Sequence, residues 1–234
     1  MSLPFFFRES LSQHETSFTL SEDTSKHIVQ VLRMQEGEHL QLTDGKGSIM
    51  TCYISEAHKK KCTVVKISSS FKALSPNDIT IAISLIKNAS RFEWFLEKAT
   101  EIGVRSIIPL LCERTEKQHF RFDRMNGILI SAMLQSKQCF LPELKEPLKI
   151  KSLLESNRFA NKYIAHCDED GQKTAFDPVK KNESSIMLIG PEGDFTKEEI
   201  LLAKLNGFVP VSLGNNRLRT ETAGVVAAVM MNSI

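Results

Sequence analysis

Residues 190–194, with the sequence Gly-Pro-Glu-Gly-Asp, form a glycine-bearing loop that separates an apolar run from an amphipathic one. The apolar run, 184–189, has the composition of a buried strand, and residues 196–199 have the Thr-x-x-Glu pattern of a helix capping box. This places the loop at the carboxyl end of a parallel strand, where open α/β sheets bind ligands. The alternative is a plain tight turn, because Pro191 fixes φ and Gly193 permits a positive one.

A second loop repeats this arrangement. A short β-type run ends in Leu-Gly, the polar stretch Asn-Asn-Arg-Leu-Arg follows, and a helix rich in Ala and Val is predicted from Thr220 or Thr222. Taken alone, Arg217 and Arg219 also fit a solvated basic loop, and Glu221 also fits a helix start, where the dipole favours a carboxylate. Two such loops from strands close in sequence nevertheless suggest one shared pocket.

The type of ligand follows from what the two loops lack. Neither has the GxxxxGK[ST] pattern of a P-loop, and the chain has no GxGxxG fingerprint. A polyphosphate cradle is therefore not supported. A ligand held by backbone amides and carbonyls, such as a nucleoside without phosphates, fits better.

Composition limits the function classes. The chain of 234 residues has 30 Lys and Arg against 28 Asp and Glu, and a net charge of +2 does not by itself indicate a nucleic-acid binder. Its five cysteines include no CxxC pair and no His/Cys cluster at metal-ligand spacing, which favours reduced thiols and no metal. No signal-peptide pattern is present, and the late apolar run 223–231 is far shorter than the ~20 residues of a membrane span. We expect a cytoplasmic protein without a membrane partner.

The N-terminal part is predicted to be a small β-rich domain. Up to about residue 71 the chain alternates polar with apolar or β-branched residues, and Asp-Gly-Lys-Gly at 44–47 is a hairpin signal. One helix is expected there, capped by Ser21, with Ile28, Val31 and Leu32 on one face. The turn formers of residues 72–78 mark the domain boundary, which gives domains 1–72 and 73–234.

The pattern changes after that boundary. Residues 79–86 form an apolar strand, and the next segment is an amphipathic helix with a capping box of Ser90 and Glu93 and a C-terminal Gly103. Strand 104–111 and a helix from about 122 to 138 follow. The alternation continues with strands and helices as far as a last helix from about Thr220 to the end. Such alternation predicts an α/β domain with a mostly parallel sheet.

Four motifs in register carry a resemblance to a known family. They are LIGPEGDF, SLGNNRLRTETA, RFEWFLEKATEIGV with IIPL, and HIVQVLRMQEGE with LTDGKG. Together, from about His27 to the C-terminus, they resemble the RsmE family of 16S ribosomal RNA uridine N3-methyltransferases within the SPOUT superfamily. One motif would be weak, but four in order are specific.

The resemblance implies a PUA-like β-barrel that helps bind RNA and an α/β domain with a deep trefoil knot, although true knots are nearly absent from proteins. It further implies a homodimer that binds S-adenosylmethionine in a bent form and acts on 16S rRNA within the small ribosomal subunit. The cofactor-binding positions carried over are Leu188, Gly190, Pro191, Glu192, Gly193, Leu213, Gly214, Leu218, Thr220, Thr222 and Ala223.

The chain departs from the family pattern in three places. Asp194 stands where the family usually has a second glycine, and Arg217 lies one position after the family's first loop arginine. The family's EAxxQSxR segment is SAMLQSKQ here, which keeps Gln135 and Ser136 but offers Lys137 instead of the arginine that follows in the family. Gln135 is kept as a candidate RNA-binding residue.

Methylation of uracil N3 defines the catalytic candidates. The N3 proton must leave before nitrogen can attack a methyl group, so the site must favour the anion. Arg219 or Arg217 is expected to stabilise the negative charge on the uracil carbonyl oxygens. Glu221 is the candidate carboxylate, with helix capping as its alternative.

RNA contacts are expected from local basic residues. Lys59, Lys60 and Lys61 form a basic hairpin tip, and Arg8 and Arg33 are further candidates; a solvated turn is the alternative for the lysines. Two other functions remain open: a non-catalytic RNA-binding or ribosome-assembly module with the same fold, and an α/β enzyme for another nucleoside ligand.

Overall fold

A computed structural model describes residues 3–12, 14–116, 118–155, 159–167, 174–176 and 183–232. The chain forms two compact units. The first contains the residues up to Leu74 together with Met133–Leu141, and the second contains Ser75–Ala132 and the residues from Pro142 onward.

The first unit is built on a five-stranded sheet in the order β1-β3-β4-β5-β2. Its largest buried side chains include Phe18, Leu40 and Ile54, whose neighbours along each strand are more exposed, as one-sided strands require. The predicted hairpin is confirmed, since β3 and β4 are antiparallel and the 44–47 turn joins them. The strands are β1 Phe5–Phe7, β2 Ser17–Thr19, β3 His39–Thr43, β4 Ser48–Glu56 and β5 Thr63–Phe71.

The helix in this unit differs from the prediction. Ser21 caps α1, Glu22–Lys26, as expected, but the chain then passes into a π-helical turn, His27–Val31. Ile28 is buried, whereas Val31 and Leu32 are 65% and 44% exposed, so the predicted shared face is wrong. The backbone N–H of Leu32 donates to His27, five residues back, and this wider turn breaks the 3.6-residue spacing on which the prediction rested.

The second unit is the expected α/β domain. Its sheet has the order β11-β13-β10-β12-β6-β7-β8, with β9 also pairing with β7, and every pairing among its described strands is parallel. The strands are β6 Asp78–Ser84, β7 Ser106–Leu111, β8 Glu143–Leu144, β9 Leu148–Lys149, β10 Asn161–Ala165, β11 Thr174–Ala175, β12 Ser184–Ile189 and β13 Val209–Ser212.

Strand order brings distant parts of the chain together. The late strand β12 lies between β6 and β10, and its centre is completely buried, which explains its continuous apolar sequence. The helices are α2 Ala89–Ile102, α3 Phe122–Gln135, α4 Ile150–Leu154, α5 Lys197–Leu205 and α6 Thr220–Asn232. The last helix, α6, packs on α2 and β6. Among the described residues, no helix has the length and apolar character needed to cross a membrane.

The helix caps test the local predictions. The Thr196–Glu199 capping box of α5 is confirmed in both directions, and Gly103 ends α2 with a left-handed backbone. The predicted box at the start of α2 is wrong. Asn88 is the cap there, because its side chain accepts a hydrogen bond from the backbone N–H of Ser90, and Ser90 already lies in the first turn.

Candidate cofactor and methyl-transfer site

A cavity of about 630 Å³ opens at the carboxyl ends of β10, β12 and β13. It is the position at which open α/β sheets bind ligands. Its lining comes from the segments that follow these three strands, together with the starts of α2 and α6. The lining residues are Arg91, Ala165, His166, Cys167, Ile189, Gly190, Pro191, Glu192, Asp194, Val211, Ser212, Leu213, Gly214, Asn215, Asn216, Arg217, Leu218, Arg219, Thr220 and Ala223.

The loop after β12 is a tight turn with a packing constraint. The backbone N–H of Asp194 donates to the carbonyl of Pro191 at 2.9 Å, which closes the turn. A Cβ at Gly190 would lie 3.1 Å from the ring of Phe195, a buried side chain of the domain core. Position 190 therefore favours glycine, because the turn folds back on Phe195 and a Cβ would be tightly packed.

Asp194 connects this loop to the end of β10. It adopts a left-handed backbone conformation with φ of 64°. Its Oδ2 accepts a hydrogen bond from the backbone N–H of Cys167 at 2.8 Å, and its Oδ1 accepts one from the backbone N–H of Phe195 at 2.9 Å. The residue that departs from the family pattern therefore joins two cavity walls.

Other contacts fix the same loop to the ends of β6 and β7. Glu192 accepts a hydrogen bond from the backbone N–H of Lys87 at 3.1 Å, and Arg114 donates to the carbonyl of Gly193 at 2.7 Å. Glu199, in the first turn of α5, accepts from the backbone N–H of Glu113 at 2.8 Å. The loop is thus held by contacts that are far apart in sequence, which favours a preformed cavity.

The loop after β13 supplies the cationic side of the cavity. Gly214 has φ of 130°, a conformation that favours glycine. The exposed side chains of Arg217 and Arg219 follow it and line the cavity, while Thr220 begins α6 and is buried. Both loop arginines therefore line the same cavity as Glu192 and Asp194.

Glu221 lies behind that space. Its side chain is 8% exposed, and Oε1 lies 3.6 Å from Nε of Arg91. Its Oε2 is buried and has no hydrogen-bond partner among the described residues. Glu221 is not among the described residues that line the cavity, whereas Arg91 is. The candidate role of Glu221 as the catalytic carboxylate stays a prediction.

Most predicted cofactor positions are brought together. Eight of them line the cavity, namely Gly190, Pro191, Glu192, Leu213, Gly214, Leu218, Thr220 and Ala223. Leu188, Gly193 and Thr222 are not among the described lining residues: Leu188 is buried inside β12, and the carbonyl of Gly193 is bound by Arg114.

Sequence reasoning missed Arg91 and residues 165–167. Arg91 lies in the first turn of α2, within a segment that contributed to the resemblance but had no site role. Residues 165–167 form the end of β10 and the segment after it and contain no glycine motif, and their place in the site depends on the pairing of β10 with both β12 and β13. A prediction that β10 lies between β12 and β13 would have placed residues 165–167 in the site, but the sequence analysis made no prediction of strand order.

A buried polar cluster stands at the ends of β6 and β7. The hydroxyls of Ser84 and Thr115 lie 2.9 Å apart, and Thr115 accepts a hydrogen bond from the backbone N–H of Cys112 at 2.9 Å. Burial raises the pKa of the Cys112 thiol to about 12, with a further contribution from the charge of Glu199. The thiol is therefore neutral at physiological pH.

The candidate RNA-binding residues are not among the described residues that line the cavity. Lys59, Lys60 and Lys61 are exposed at the β4–β5 hairpin tip, and Lys60 lies 3.6 Å from Glu22. Arg8 stacks on Phe18, with 4.6 Å between the guanidinium carbon and the ring centroid. Arg33 is exposed and has a positive φ of 56°, and Gln135 is exposed at the end of α3. No group of metal-ligating side chains occurs among the described residues.

Comparison with known proteins defines the class first. An RNA methyltransferase domain model matches residues 73–232, and an RNA methyltransferase PUA domain model matches residues 20–67. The predicted fold class, a SPOUT-type α/β domain with a smaller PUA-like β domain, is confirmed. The protein is an RNA methyltransferase.

The chain belongs to the RNA methyltransferase domain family, with the RsmE proteins as its relatives. It is 29% identical over 226 residues to ribosomal RNA small subunit methyltransferase E of Synechocystis, covering 94% of this chain and 74% of the relative. The structure of a probable rRNA-methyltransferase from Porphyromonas gingivalis is 39% identical, with a TM-score of 0.89 and coverage of 97% and 95%. The Neisseria gonorrhoeae methyltransferase E, bound to S-adenosyl methionine, is 27% identical, with a TM-score of 0.88 and coverage of 99% and 98%.

Proposed function

We propose that the protein transfers a methyl group from S-adenosylmethionine to N3 of a uridine in 16S ribosomal RNA. The observation that carries the proposal is the cavity that joins the 190–194 loop to the 213–220 loop. The RsmE relatives and the S-adenosylmethionine complex of the Neisseria gonorrhoeae enzyme support the same reaction.

The cavity fits the cofactor by its volume and its charges. About 630 Å³ is within the range of small-molecule sites. Both carboxylates, from Glu192 and Asp194, and guanidinium groups, from Arg91, Arg217 and Arg219, line it. S-adenosylmethionine carries a sulfonium, an ammonium and a carboxylate, so both signs of charge have partners there. The residues proposed to hold it are Leu188, Gly190, Pro191, Glu192, Gly193, Leu213, Gly214, Leu218, Thr220, Thr222 and Ala223.

When bound, the cofactor supplies an electrophilic methyl group on sulfur. The protein must favour loss of the N3 proton, since neutral uracil is a poor nucleophile at that nitrogen. Arg219 and Arg217 are the proposed catalytic residues, because their exposed guanidiniums reach the cavity and stabilise negative charge on the uracil oxygens. The N3 proton passes to water or to the carboxylate of Glu221, the third proposed catalytic residue. The Oε1 atom of Glu221 also holds Arg91, whose Nε lies 3.6 Å away.

The N-terminal domain, residues 1–72, is proposed to bind RNA while residues 73–234 carry out transfer. Lys59, Lys60 and Lys61 form an exposed cationic tip suited to phosphates, and Arg8, Arg33 and Gln135 are further proposed contacts. We place the reaction in the cytoplasm, on the small ribosomal subunit or its RNA.

A homodimer is part of the same proposal. Trp94 on α2 and Val229 on α6 are 42% and 46% exposed, and these two helices pack on each other. A second copy would remove this apolar surface from water. Sedimentation equilibrium measures the oligomeric state. A purely monomeric protein at micromolar concentration would contradict the proposed dimer.

Two measurements test the proposed function. Calorimetry should detect binding of S-adenosylmethionine, and absence of heat at high ligand concentration would favour a non-catalytic RNA-binding module. Mass spectrometry of 16S rRNA from a strain that lacks the gene should show loss of one N3-methyluridine, restored by the intact gene but not by an Arg219→Ala copy. Unchanged N3-methyluridine in the deletion strain contradicts the proposal.

A further inference from the structure

The Asp194 carboxylate joins two segments that are 27 residues apart in sequence. Cys167, at the end of one segment, and Asp194, in the other, both line the cavity. The hydrogen bond of 2.8 Å between them links the segment after β10 to the loop after β12. The bond to the N–H of Phe195, at 2.9 Å, uses the second carboxylate oxygen and fixes the side-chain orientation.

The backbone conformation of Asp194 is strained. Its φ of 64° lies in the left-handed region, which strains the backbone of a residue with a Cβ but not that of glycine. Asp and Asn tolerate this region better than other side chains. An aspartate at this position therefore has a mildly strained backbone, and its carboxylate accepts two charge-assisted hydrogen bonds that glycine could not accept.

The other hydrogen bonds of this loop join it to residues that are not among the described lining of the cavity. Glu192 binds the backbone of Lys87, and Arg114 binds the carbonyl of Gly193. Neither Lys87 nor Arg114 is among the described residues that line the cavity. The Asp194 bond instead joins two lining segments of the cavity directly, at 2.8 Å, so it bears on how those segments are placed relative to each other.

We propose that Asp194 is a positioning residue of the cofactor site: its carboxylate holds the wall of residues 165–167 in register with the 190–194 loop. The inference rests on the proposed function, because the ligand of the cavity is taken to be S-adenosylmethionine. A fixed separation lowers the ordering that binding requires, so cofactor affinity should depend on this carboxylate.

Three variants separate the bond from the backbone strain. Asp194→Gly removes both hydrogen bonds and the strain, and Asp194→Asn keeps the shape and one carbonyl acceptor. Glu198→Gln is the matched control, since it makes the same carboxylate-to-amide change at an exposed residue outside the described cavity lining. Affinity for S-adenosylmethionine is measured by calorimetry, melting temperature by circular dichroism, and exchange of the Cys167 amide by hydrogen–deuterium mass spectrometry.

We expect Asp194→Gly to weaken cofactor binding about tenfold, which corresponds to about 1.4 kcal/mol, and Asp194→Asn to have a smaller effect. The Cys167 amide should exchange faster in both, while the melting temperature of Asp194→Gly stays near that of the wild type. Equal affinity in the wild type and Asp194→Gly overturns the inference, as does an equal loss in Glu198→Gln.

Failure of the proposed function is a different result. In that case the wild type shows no binding of S-adenosylmethionine at all. The exchange measurement still decides on the positioning role: faster exchange at Cys167 in Asp194→Gly supports it, and unchanged exchange refutes it.

Discussion

The side chain of Glu221 lies behind that of Arg91, with 3.6 Å between Oε1 of the carboxylate and Nε of the guanidinium. Glu221 is 8% exposed and Arg91 is 39% exposed, and it is Arg91 that lines the cavity. The pair connects the first turn of α6 to the first turn of α2. The charged residue of this pair that lines the cavity is therefore Arg91, and we expect the carboxylate of Glu221 to orient its guanidinium.

A double-mutant cycle tests this orientation. Arg91→Ala and Glu221→Gln should each reduce the rate of methyl transfer, and the double variant should be no worse than the more damaging single one. A coupling of about 1 kcal/mol is expected for residues in direct contact. Lys98→Ala is the control, since Lys98 lies on the same helix and pairs with Glu101 outside the described cavity lining. Additive effects would show instead that Glu221 acts independently, for example as a proton acceptor.

Cysteine reactivity reports on the cavity. Cys167 is exposed and lines the cavity, so iodoacetamide should modify it at pH 8, and saturating S-adenosylmethionine should slow that reaction severalfold. Cys112 is buried and its pKa is raised to about 12, so it should stay unmodified in the native protein. Peptide mass spectrometry measures both sites. Modification of Cys167 at the same rate with and without cofactor would place the ligand away from this wall.

Buried thiols should weaken the protein at alkaline pH. Burial raises the pKa of Cys112 from 9.0 to about 12, so the unfolded chain loses this proton at lower pH than the folded one does. The stabilising contribution is complete below about pH 9 and disappears as the pH rises toward 12, by up to about 1.4 kcal/mol per pH unit. Urea unfolding between pH 8 and 11 measures the decline.

Cys112→Ser should show a shallower decline over this range, although it is less stable at neutral pH. Cys167→Ser, at an exposed position, should decline as the wild type does. The same slope in Cys112→Ser and the wild type would assign the alkaline loss to other groups, such as Cys52, whose pKa is raised to about 11 by burial.

The contact between α6 and the domain core depends on Gly224. A Cβ there would lie 2.7 Å from the ring of Phe95 and 2.8 Å from Cδ1 of Ile83, both buried. Gly224→Ala should lower the free energy of unfolding by about 1–3 kcal/mol through overpacking. Gly127→Ala is the matched control on α3, where a Cβ meets nothing within 4 Å and a small gain is expected. Equal thermal stability of the two variants would contradict the packing argument.

Local features of the fold were predictable where neighbouring residues decide them. The capping box of α5 needs only Thr196 and Glu199, and the β3–β4 hairpin needs only its turn and flanking strands. The cap of α2 was misplaced by two residues, because Asn88 competes with Ser90 for the same role and both are good caps. The exposure of Val31 could not be foreseen, since a π-helical turn leaves no pattern of its own in the spacing of apolar residues.

The sequence by itself determined the two glycine-bearing loops, their arginines and their carboxylates, because turn formation and capping depend on residues adjacent in the chain. The sequence motifs also resemble the RsmE family, and that resemblance predicted S-adenosylmethionine as the cofactor. Only the tertiary structure decided that β10 lies between β12 and β13. That pairing brings Cys167 to Asp194 and adds residues 165–167 to the cavity. The packing of α2 on α6 likewise brings Arg91 to Glu221. Such contacts depend on strand order and helix packing, which arise from burial of surface across the whole domain rather than from local preference.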